Sequence, residues 1–302
     1  MVSRADNSRS KLKRVAAPDF DLVTTLDSGQ VFYWRAEGSG FIGAIGDEPV
    51  YVEQEGDVLR FAGGSEKLLT HYFALDHPLN EICASFPNDP AMNDARSFCQ
   101  GLRILRQPKW ECLASFICSS MKQVAHIRQM SAALRQRFST AISFRGGVIY
   151  PFPSARAIAE SSEKELRACG LGYRAPNLLA TARRIAAESV DLDDLASLPD
   201  AELRAALCEL PGVGAKVANC VMLFAYERLR AFPIDVWIAR VLRERYFPRK
   251  RKMTDRMMRE FSQDYFGPHG GYAQQYLFHH ARKTQTHRRM RPRPRSSRAG
   301  GS

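Results

Sequence analysis

The sequence predicts an α+β fold in which a small N-terminal antiparallel β-sheet region packs on a mostly α-helical body. Between Phe20 and Ala62, short runs of β-type residues alternate with glycine-containing turns, which is typical of an antiparallel meander of four or five strands. After Gly64 the pattern turns helical and continues so along the rest of the chain. Strands followed by a long helical run favour the α+β class.

The elements follow in order along the chain. The strand runs read VFYWR, FIGAI, PVYVEQ and DVLRF. Predicted helices span residues 66–73, 93–100, 110–120, 123–137, 162–169, 175–189, 200–208, 215–227, 236–246, 254–266 and 272–282. The predicted organisation is a flexible basic leader (1–17), an N-terminal sheet domain with flanking helices (18–100), a helical domain (101–282) containing a helix-hairpin-helix at 200–228, and a disordered basic tail (283–302).

Composition excludes several classes of protein. The chain has 302 residues, of which 45% are hydrophobic and 25% charged, as in ordinary globular proteins and unlike collagens or wholly disordered chains. It contains neither a long apolar run nor an apolar N-terminal segment, so no membrane helix and no secretory signal are expected. The seven cysteines form no C-x-x-C pair, which favours reduced thiols in an intracellular protein.

The charge distribution predicts a polyanionic partner. The formal net charge is +12, and residues 283–302 contain seven basic residues and no acidic one. A basic arm on a mildly basic body is typical of proteins that bind nucleic acid. A tail that serves only solubility is the alternative.

The strongest local motif is LPGVGAKVANCV, which begins at Leu210. Pro211 ends one predicted helix, Gly212 and Gly214 permit positive φ angles around Val213, and a second helix begins at Ala215. Backbone N–H groups at such a helix N-terminus can hold a phosphate. The motif therefore predicts a hairpin that binds the DNA backbone, the alternative being an ordinary glycine turn.

Two residues near this hairpin could carry chemistry. Lys216 lies in the first turn of the second helix, where the positive end of the helix dipole favours the neutral amine that attacks carbon. Asp235 follows nineteen residues later and is a good N-cap for a helix beginning at Val236. The same carboxylate could face positive charge that develops on a sugar. A phosphate-binding lysine and a simple helix cap are the alternatives.

Lys216 and Asp235, with the LPGVG hairpin, resemble the helix-hairpin-helix Gly/Pro-Asp DNA glycosylase superfamily. The similarity to 8-oxoguanine DNA glycosylases extends over about residues 18–282. The resembling segments occur in the same order and read SGQVFYW, RILRQPKWECLASFICSS, GLGYRA, LPGVGAKVANCV and GYAQQYLF. Five ordered motifs are much more specific than one.

The resemblance implies a bifunctional base-excision-repair glycosylase and AP lyase. A flipped 8-oxoguanine would enter a pocket in which the Gly29 carbonyl accepts the N7 hydrogen, Gln274 bonds the Watson–Crick edge, and Cys220 and Phe278 sandwich the base. Normal guanine lacks that hydrogen, and an unmatched buried acceptor pair costs about 1–3 kcal/mol. Lys216 would attack C1′ while Asp235 stabilises the transition state, and β-elimination from the resulting Schiff base would nick the strand.

The resemblance also implies partners and cofactors. The expected partner is double-stranded DNA containing oxidised guanine, bound by a monomer that is intracellular and associated with DNA, without membrane contact. No cofactor and no catalytic metal are expected, and only a structural cation at the hairpin carbonyls is considered.

The segment that contacts the opposite strand departs from the family pattern. Met121, Lys122 and Gln123 replace an asparagine run of the eukaryotic members, and His126 stands where they have an arginine. Tyr173 and Arg174 match the family's wedge aromatic and its second cytosine-reading arginine. Since histidine lacks the bidentate fork of arginine, the preference for cytosine opposite the lesion should be weaker.

A second departure follows the aspartate, where Trp237 replaces a phosphate-contacting histidine of the family. Trp237 is still expected to contact DNA. Two other functions compete with 8-oxoguanine excision: removal of alkylated purines, and DNA binding without catalysis. Gly29 and the GYAQQYLF segment argue against the first, and Lys216 with Asp235 argues against the second.

Overall fold

The structure, a computed structural model, describes residues 12–120, 123–249 and 253–290, with side chains up to residue 284. The N-terminal region forms a five-stranded antiparallel sheet. Its strands are β1 (Lys13–Ala16), β2 (Arg35–Glu37), β3 (Gly40–Ile45), β4 (Glu48–Glu55) and β5 (Val58–Ala62), and they lie in the order β1-β5-β4-β3-β2. Gly46, with a φ of +58°, forms the tight turn between β3 and β4.

The remainder of the described chain is mainly helical. The helices are α1 (Leu22–Asp27), α2 (Glu66–Tyr72), α3 (Leu79–Ala84), α4 (Pro90–Phe98), α5 (Lys109–Ser119), α6 (Val124–Phe138), α7 (Ala155–Ala159), α8 (Glu163–Ala168), α9 (Ala175–Ala186), α10 (Asp200–Cys208), α11 (Ala215–Ala225), α12 (Val236–Val241), α13 (Asp255–Tyr265) and α14 (Gly270–Met290). A π-helical turn, Leu242–Tyr246, continues α12. None of these helices is long and apolar enough to cross a membrane.

Side-chain caps explain several helix starts. Ser65 caps α2, and Asp89 caps α4, whose first residue is proline. Ser162 and Glu165 form a reciprocal capping box at α8. Such caps satisfy N–H groups that have no partner inside the helix.

The molecule has two main apolar cores. The smaller core lies between the sheet and helices α1 and α2 and contains Trp34, Phe61 and Tyr72. The larger core joins the helices of the body and includes residues of α3 and α4, such as Ile82 and Met92. The predicted domain boundary at residue 100 therefore divides helices that share one core.

Two predictions about the N-terminal region were wrong, and one helix was not predicted. Residues 31–34 of the VFYWR run do not form a strand, although Val31, Phe32 and Trp34 are buried, and only its last residue, Arg35, belongs to β2. Helix α1, capped by Asp21, precedes it instead. The leader predicted for residues 1–17 ends earlier, because β1 pairs with β5 and buries Val15. Residues 1–11 lie outside the described part.

Two predictions about the C-terminal two thirds also need correction. The chain after Gly64 is not entirely helical, because β6 (Ile142–Phe144) and β7 (Gly147–Ile149) form a hairpin whose Ile149 packs on Ile42 and Tyr51 of the sheet. The tail predicted to begin at residue 283 begins as helix, since α14 continues to Met290. Lys283 forms an ion pair with Asp27. Residues 291–302 lie outside the described part.

A buried ion pair fastens α5 to α6. Arg135 and Glu111 are 4% exposed each and form a salt bridge. The guanidinium also lies 3.9 Å from the centroid of the Tyr33 ring and donates to the Tyr150 carbonyl oxygen at 3.2 Å. Burial raises the pKa of Glu111, while Arg135 opposes that rise. The Arg135 side chain of α6 therefore contacts α5, the segment before β2 and the residue after β7.

Replacing Glu111 by alanine should destabilise the fold by about 3–5 kcal/mol, because it leaves the Arg135 charge buried without its partner. Chemical denaturation monitored by circular dichroism measures this loss. The control is Glu160→Ala, which removes an exposed pair with Arg156 on α7 and should cost at most about 0.5 kcal/mol. Equal losses in the two variants would contradict the assigned role of the buried pair.

Candidate active site

One of the two glycines in the hairpin between α10 and α11 adopts a positive φ. Gly212 has a φ of +83°, and a Cβ there would lie 2.9 Å from Cβ of Asn177 and 3.2 Å from Cγ2 of Ile117. Gly214 has a φ of −95°. Gly214 is instead the N-cap residue of α11, and a Cβ there would meet open space.

The hairpin presents backbone N–H groups to solvent. Val213 is buried and its N–H donates to the Leu210 carbonyl oxygen at 3.0 Å, which closes the turn. Thr181 on α9 donates its hydroxyl to the Pro211 carbonyl oxygen at 2.9 Å. No side chain caps α11, and Gly214 and Ala215 are exposed. The first turn of α11 can therefore receive an anion.

Lys216 extends from this first turn toward the end of α5. Its Nζ lies 3.3 Å from Oγ of Ser119 and 5.1 Å from the centroid of the Phe116 ring. The Lys216 amine thus lies against a hydroxyl and an aromatic face, on the side of the hairpin that faces the larger core.

Asp235 lies close enough to Lys216 for the two charges to interact. Its Oδ1 accepts the backbone N–H groups of Trp237 at 3.0 Å and Ile238 at 2.9 Å, which confirms the cap of α12. Burial raises the pKa of Asp235, and the two N–H groups and the Lys216 charge oppose that rise. The structure therefore brings together the amine and the carboxylate that the sequence singled out.

Cys220 lies one turn after Lys216 on α11 and is 3% exposed. Burial raises the pKa of its thiol to about 11, although a hydrogen bond and the charge of Lys216 act in the opposite direction. The thiol is therefore neutral at physiological pH and borders the amine.

Gly29 and Phe278 are neighbours, as expected of two walls of one pocket. Gly29 has a φ of +88°, and a Cβ there would lie 3.1 Å from Cε1 of Phe278. The preceding residue is held by Gln275, whose Nε2 donates to the Ser28 carbonyl oxygen at 3.0 Å. Helix α14 thus fixes the SGQ turn from one side.

Gln274 has an unused hydrogen-bonding atom. The residue is 4% exposed, and its Oε1 has no hydrogen-bond partner among the described residues. A buried amide oxygen without a hydrogen-bond donor destabilises the fold unless a ligand supplies that donor. This observation supports a polar ligand beside Gln274.

Short contacts join the SGQ turn and α14 to α11. Gln107 donates its Nε2 to the Gln30 carbonyl oxygen at 2.8 Å, and its backbone N–H donates to the Phe224 carbonyl oxygen on α11, also at 2.8 Å. A Cβ at Gly271 would lie 2.3 Å from Cδ1 of Leu223, so α14 approaches α11 as closely as glycine permits.

The structure describes only some of the residues that are predicted to contact DNA. Met121 and Lys122 lie outside the described residues. Gln123 is exposed as the N-cap residue of α6, and His126 is exposed in its first turn. Trp237 is half-buried, with the Arg240 guanidinium 5.5 Å from its ring centroid.

Arg174 is not at the surface. It is 3% exposed, and its Nε and Nη2 both donate to the Ser120 carbonyl oxygen, with the Nε contact at 2.8 Å. Tyr173 beside it is 58% exposed, as a wedge residue requires.

Sequence reasoning missed Ser119 and Phe116. They lie three residues apart on α5, so helical periodicity alone could have placed them on one face. Nothing in the sequence linked that face to Lys216. Among the described residues, no group of three or more His, Cys, Asp or Glu side chains could hold a metal ion.

Two protein-family profiles match successive parts of the chain. The sequence profile of the N-terminal domain of 8-oxoguanine DNA glycosylase matches residues 14–113, and that of HhH-GPD superfamily base excision DNA repair proteins matches residues 114–265. The chain belongs to the 8-oxoguanine DNA glycosylase family. The match covers both the sheet region and the hairpin with Lys216 and Asp235.

Individual family members match over almost their whole length. A probable N-glycosylase/DNA lyase of Methanothermobacter thermautotrophicus is 31% identical over 92% of this chain and 98% of its own. The structure of MBOgg1 with a low-affinity DNA ligand has a TM-score of 0.87, 32% identity, and coverage of 92% of this chain and 97% of that chain. The Clostridium acetobutylicum 8-oxoguanine glycosylase/lyase, bound to DNA with cytosine opposite 8-oxoguanine, has a TM-score of 0.84, 29% identity, and coverage of 91% and 99%.

Replacing Gly29 by alanine should lower the affinity for lesion DNA while the protein remains folded, because the added methyl group would lie 3.1 Å from the Phe278 ring. Gly56→Ala is the matched control, since Gly56 also has a positive φ, of +58°, but has no atom near its Cβ position. Each change should destabilise the fold by about 1 kcal/mol through backbone strain. Fluorescence anisotropy with lesion DNA compares the variants, and similar affinities would contradict the proximity argument.

Proposed function

We propose that this protein excises 8-oxoguanine from duplex DNA through attack of Lys216 on C1′, and then nicks the strand by β-elimination. The observation that carries the proposal is the juxtaposition of the Lys216 amine and the Asp235 carboxylate next to a hairpin with exposed backbone N–H groups. Curated relatives named N-glycosylase/DNA lyase, with 31% and 32% identity, support this reaction. Double-stranded DNA is accordingly the partner.

The reaction requires one nucleophile and one electrostatic stabiliser. The neutral Lys216 amine forms a bond to C1′, the C1′–N9 bond breaks, and the base departs with its electron pair and takes up a proton. Asp235 stabilises the positive charge that develops on the sugar, because α12 holds it as a carboxylate. The C1′ amine then opens the sugar to a Schiff base, and loss of a C2′ proton expels the 3′ phosphate.

Recognition of the base would come from the pocket between α11, α14 and the SGQ turn. The unpaired Oε1 of Gln274 is available for an N–H group on the Watson–Crick edge. The Gly29 carbonyl would accept the N7 hydrogen that distinguishes 8-oxoguanine from guanine. Cys220 and Phe278 would contact the two faces of the flipped base, and burial keeps the Cys220 thiol neutral for this role.

The duplex itself would be held outside the pocket. The N–H groups around Gly212 and Gly214 would bind a phosphate, and a structural cation could share the hairpin carbonyls, each of which retains a second lone pair. Exposed Tyr173 fits a wedge beside the lesion. The weaker preference for cytosine stays a prediction, supported by the exposed His126 and by the inward position of Arg174.

Lys216→Gln should abolish both excision and nicking while it leaves lesion binding intact, because glutamine cannot form a Schiff base. The assay incubates the protein with borohydride and a duplex that carries 8-oxoguanine opposite cytosine, beside an undamaged duplex. Lys67→Gln, at an exposed lysine of α2, is the control and should form the covalent adduct at the normal rate.

Three outcomes would contradict this assignment. Excision by Lys216→Gln at the normal rate would exclude Lys216 as the nucleophile. Binding without any adduct, and without excision, would favour a DNA-binding module. Excision of alkylated purines but not of 8-oxoguanine would favour the other glycosylase class.

Asp235→Asn should separate the helix cap from the chemistry. The amide oxygen of asparagine can still accept the two backbone N–H groups of α12. The change also removes a carboxylate whose pKa is raised by burial, so the folded protein no longer contains this buried charge. We therefore expect thermal stability to be unchanged or higher at pH 7, while single-turnover excision falls about 10²–10³-fold. Full activity in a folded variant would show that Asp235 is only a cap.

The raised pKa of Asp235 also gives a pH dependence with a defined sign. The carboxylate is the active form, so excision should decline as the pH falls through its pKa, above the ordinary value of 3.8. Protonation of a group whose pKa is raised in the folded state stabilises that state, so this group does not contribute to acid denaturation.

A further inference from the structure

Ser119, the last residue of α5, is the polar group that touches the Lys216 amine from outside α11. We propose that Ser119 is a positioning residue that aims the Lys216 amine for attack on C1′. This inference rests on the proposed function, because it assigns a role beside the same nucleophile.

The hydrogen-bond direction at Ser119 is fixed by its neighbours. Its Oγ lies 2.8 Å from the Phe116 carbonyl oxygen, to which only the hydroxyl can donate. A hydroxyl has one proton, so toward Lys216 at 3.3 Å the Ser119 oxygen can only accept. The amine then points an N–H at Ser119 and keeps its lone pair directed elsewhere. Ser119 thus orients the nucleophile without occupying its lone pair.

The acceptor itself is rigidly placed. Ser119 is 7% exposed, and the carbonyl of the next residue, Ser120, accepts two donors of the buried Arg174 guanidinium. Arg174 also donates to the Leu171 carbonyl oxygen at 3.3 Å, which ties the end of α5 to the turn before α9. The position of Ser119 is therefore set by contacts outside α11.

The Phe116 ring also restricts the conformations of the Lys216 side chain. The Phe116 ring, whose centroid is 5.1 Å from Nζ, stacks on Phe224 with centroids 5.4 Å apart and planes 10° apart. A lysine side chain has several rotatable bonds and much conformational entropy to lose. One fixed acceptor and one fixed ring face reduce that freedom before the substrate arrives, and a displacement of about 1 Å from a productive geometry can cost about 10²-fold in rate.

The test measures adduct formation under single-turnover conditions with two duplexes, one carrying 8-oxoguanine and one carrying an abasic site. Ser119→Ala should slow the borohydride-trapped adduct about 10- to 100-fold with both duplexes, while the dissociation constant for DNA stays unchanged. The abasic duplex matters because it needs no base recognition. Ser115→Ala, at a buried serine one turn earlier on α5, is the control and should retain the normal rate.

A pair of isosteric variants separates the hydroxyl from the space it fills. Ser119→Thr keeps an acceptor hydroxyl that can also bond back to the preceding turn, so it should restore most of the rate. Ser119→Val has the same shape without the hydroxyl and should remain slow. This pair keeps the test decisive if the alanine variant does not fold.

Four results would overturn the inference. Normal adduct rates in Ser119→Ala or Ser119→Val would show that the hydroxyl does not position the amine. A defect confined to the 8-oxoguanine duplex would assign Ser119 to base recognition. A weaker affinity at an unchanged rate would make its role structural. No adduct from the unaltered protein on either duplex would overturn the proposed function, and with it this inference.

Discussion

The buried amide of Gln30 is the interaction on which the geometry of the site depends. Its Nε2 donates to the Arg103 carbonyl oxygen at 2.8 Å and to Oγ of Ser28 at 2.9 Å, and its Oε1 accepts the Leu105 N–H at 2.8 Å. The residue is fully buried, so each of these bonds replaces water that cannot reach it. Through them the turn that contains Gly29 is fixed to the segment before α5, although four of the five strands of the sheet, β2–β5, lie between them in the sequence.

The N-termini of α11 and α12 have opposite roles in the site. The N-terminus of α12 is filled by a side chain of the protein, the Asp235 carboxylate, which is why that group can remain charged in a largely apolar setting. The N-terminus of α11 is left open, with no capping side chain, and carries Lys216 in its first turn. One helix therefore stabilises an internal anion while the other can accept an external one. In the proposed reaction, the sugar of the flipped nucleotide would lie between the two ends.

Much of this arrangement could be predicted from the sequence. The α+β class, the hairpin, the cap by Asp235 and most helices of the body follow from local patterns, because glycines, capping residues and apolar periodicity act over a few residues. The family resemblance, now confirmed, predicted that Gly29 and Phe278 belong to one pocket, and the two residues are neighbours.

What could not be predicted depends on contacts between distant residues. The VFYWR run has high β-propensity, yet residues 31–34 lie outside the strands, and the side-chain bonds of the preceding Gln30 fix this segment to Arg103 and Leu105. Strand β1 is recognisable only from its pairing with β5, which lies more than forty residues later in the sequence. The inward position of Arg174 depends on the carbonyl oxygens of Leu171 and of Ser120, and Ser120 is more than fifty residues away in sequence. Local propensity does not contain such information.

The burial of the cysteines has a practical consequence for labelling. All seven are free thiols, and six are buried with pKa values raised by burial, including Cys220 in the pocket. Since the thiolate is the reactive form, these six should resist alkylation at neutral pH. Cys208 is exposed at the end of α10, two residues before Leu210. A maleimide fluorophore would therefore attach at a single natural position beside the hairpin and could follow its docking on DNA without any engineered cysteine.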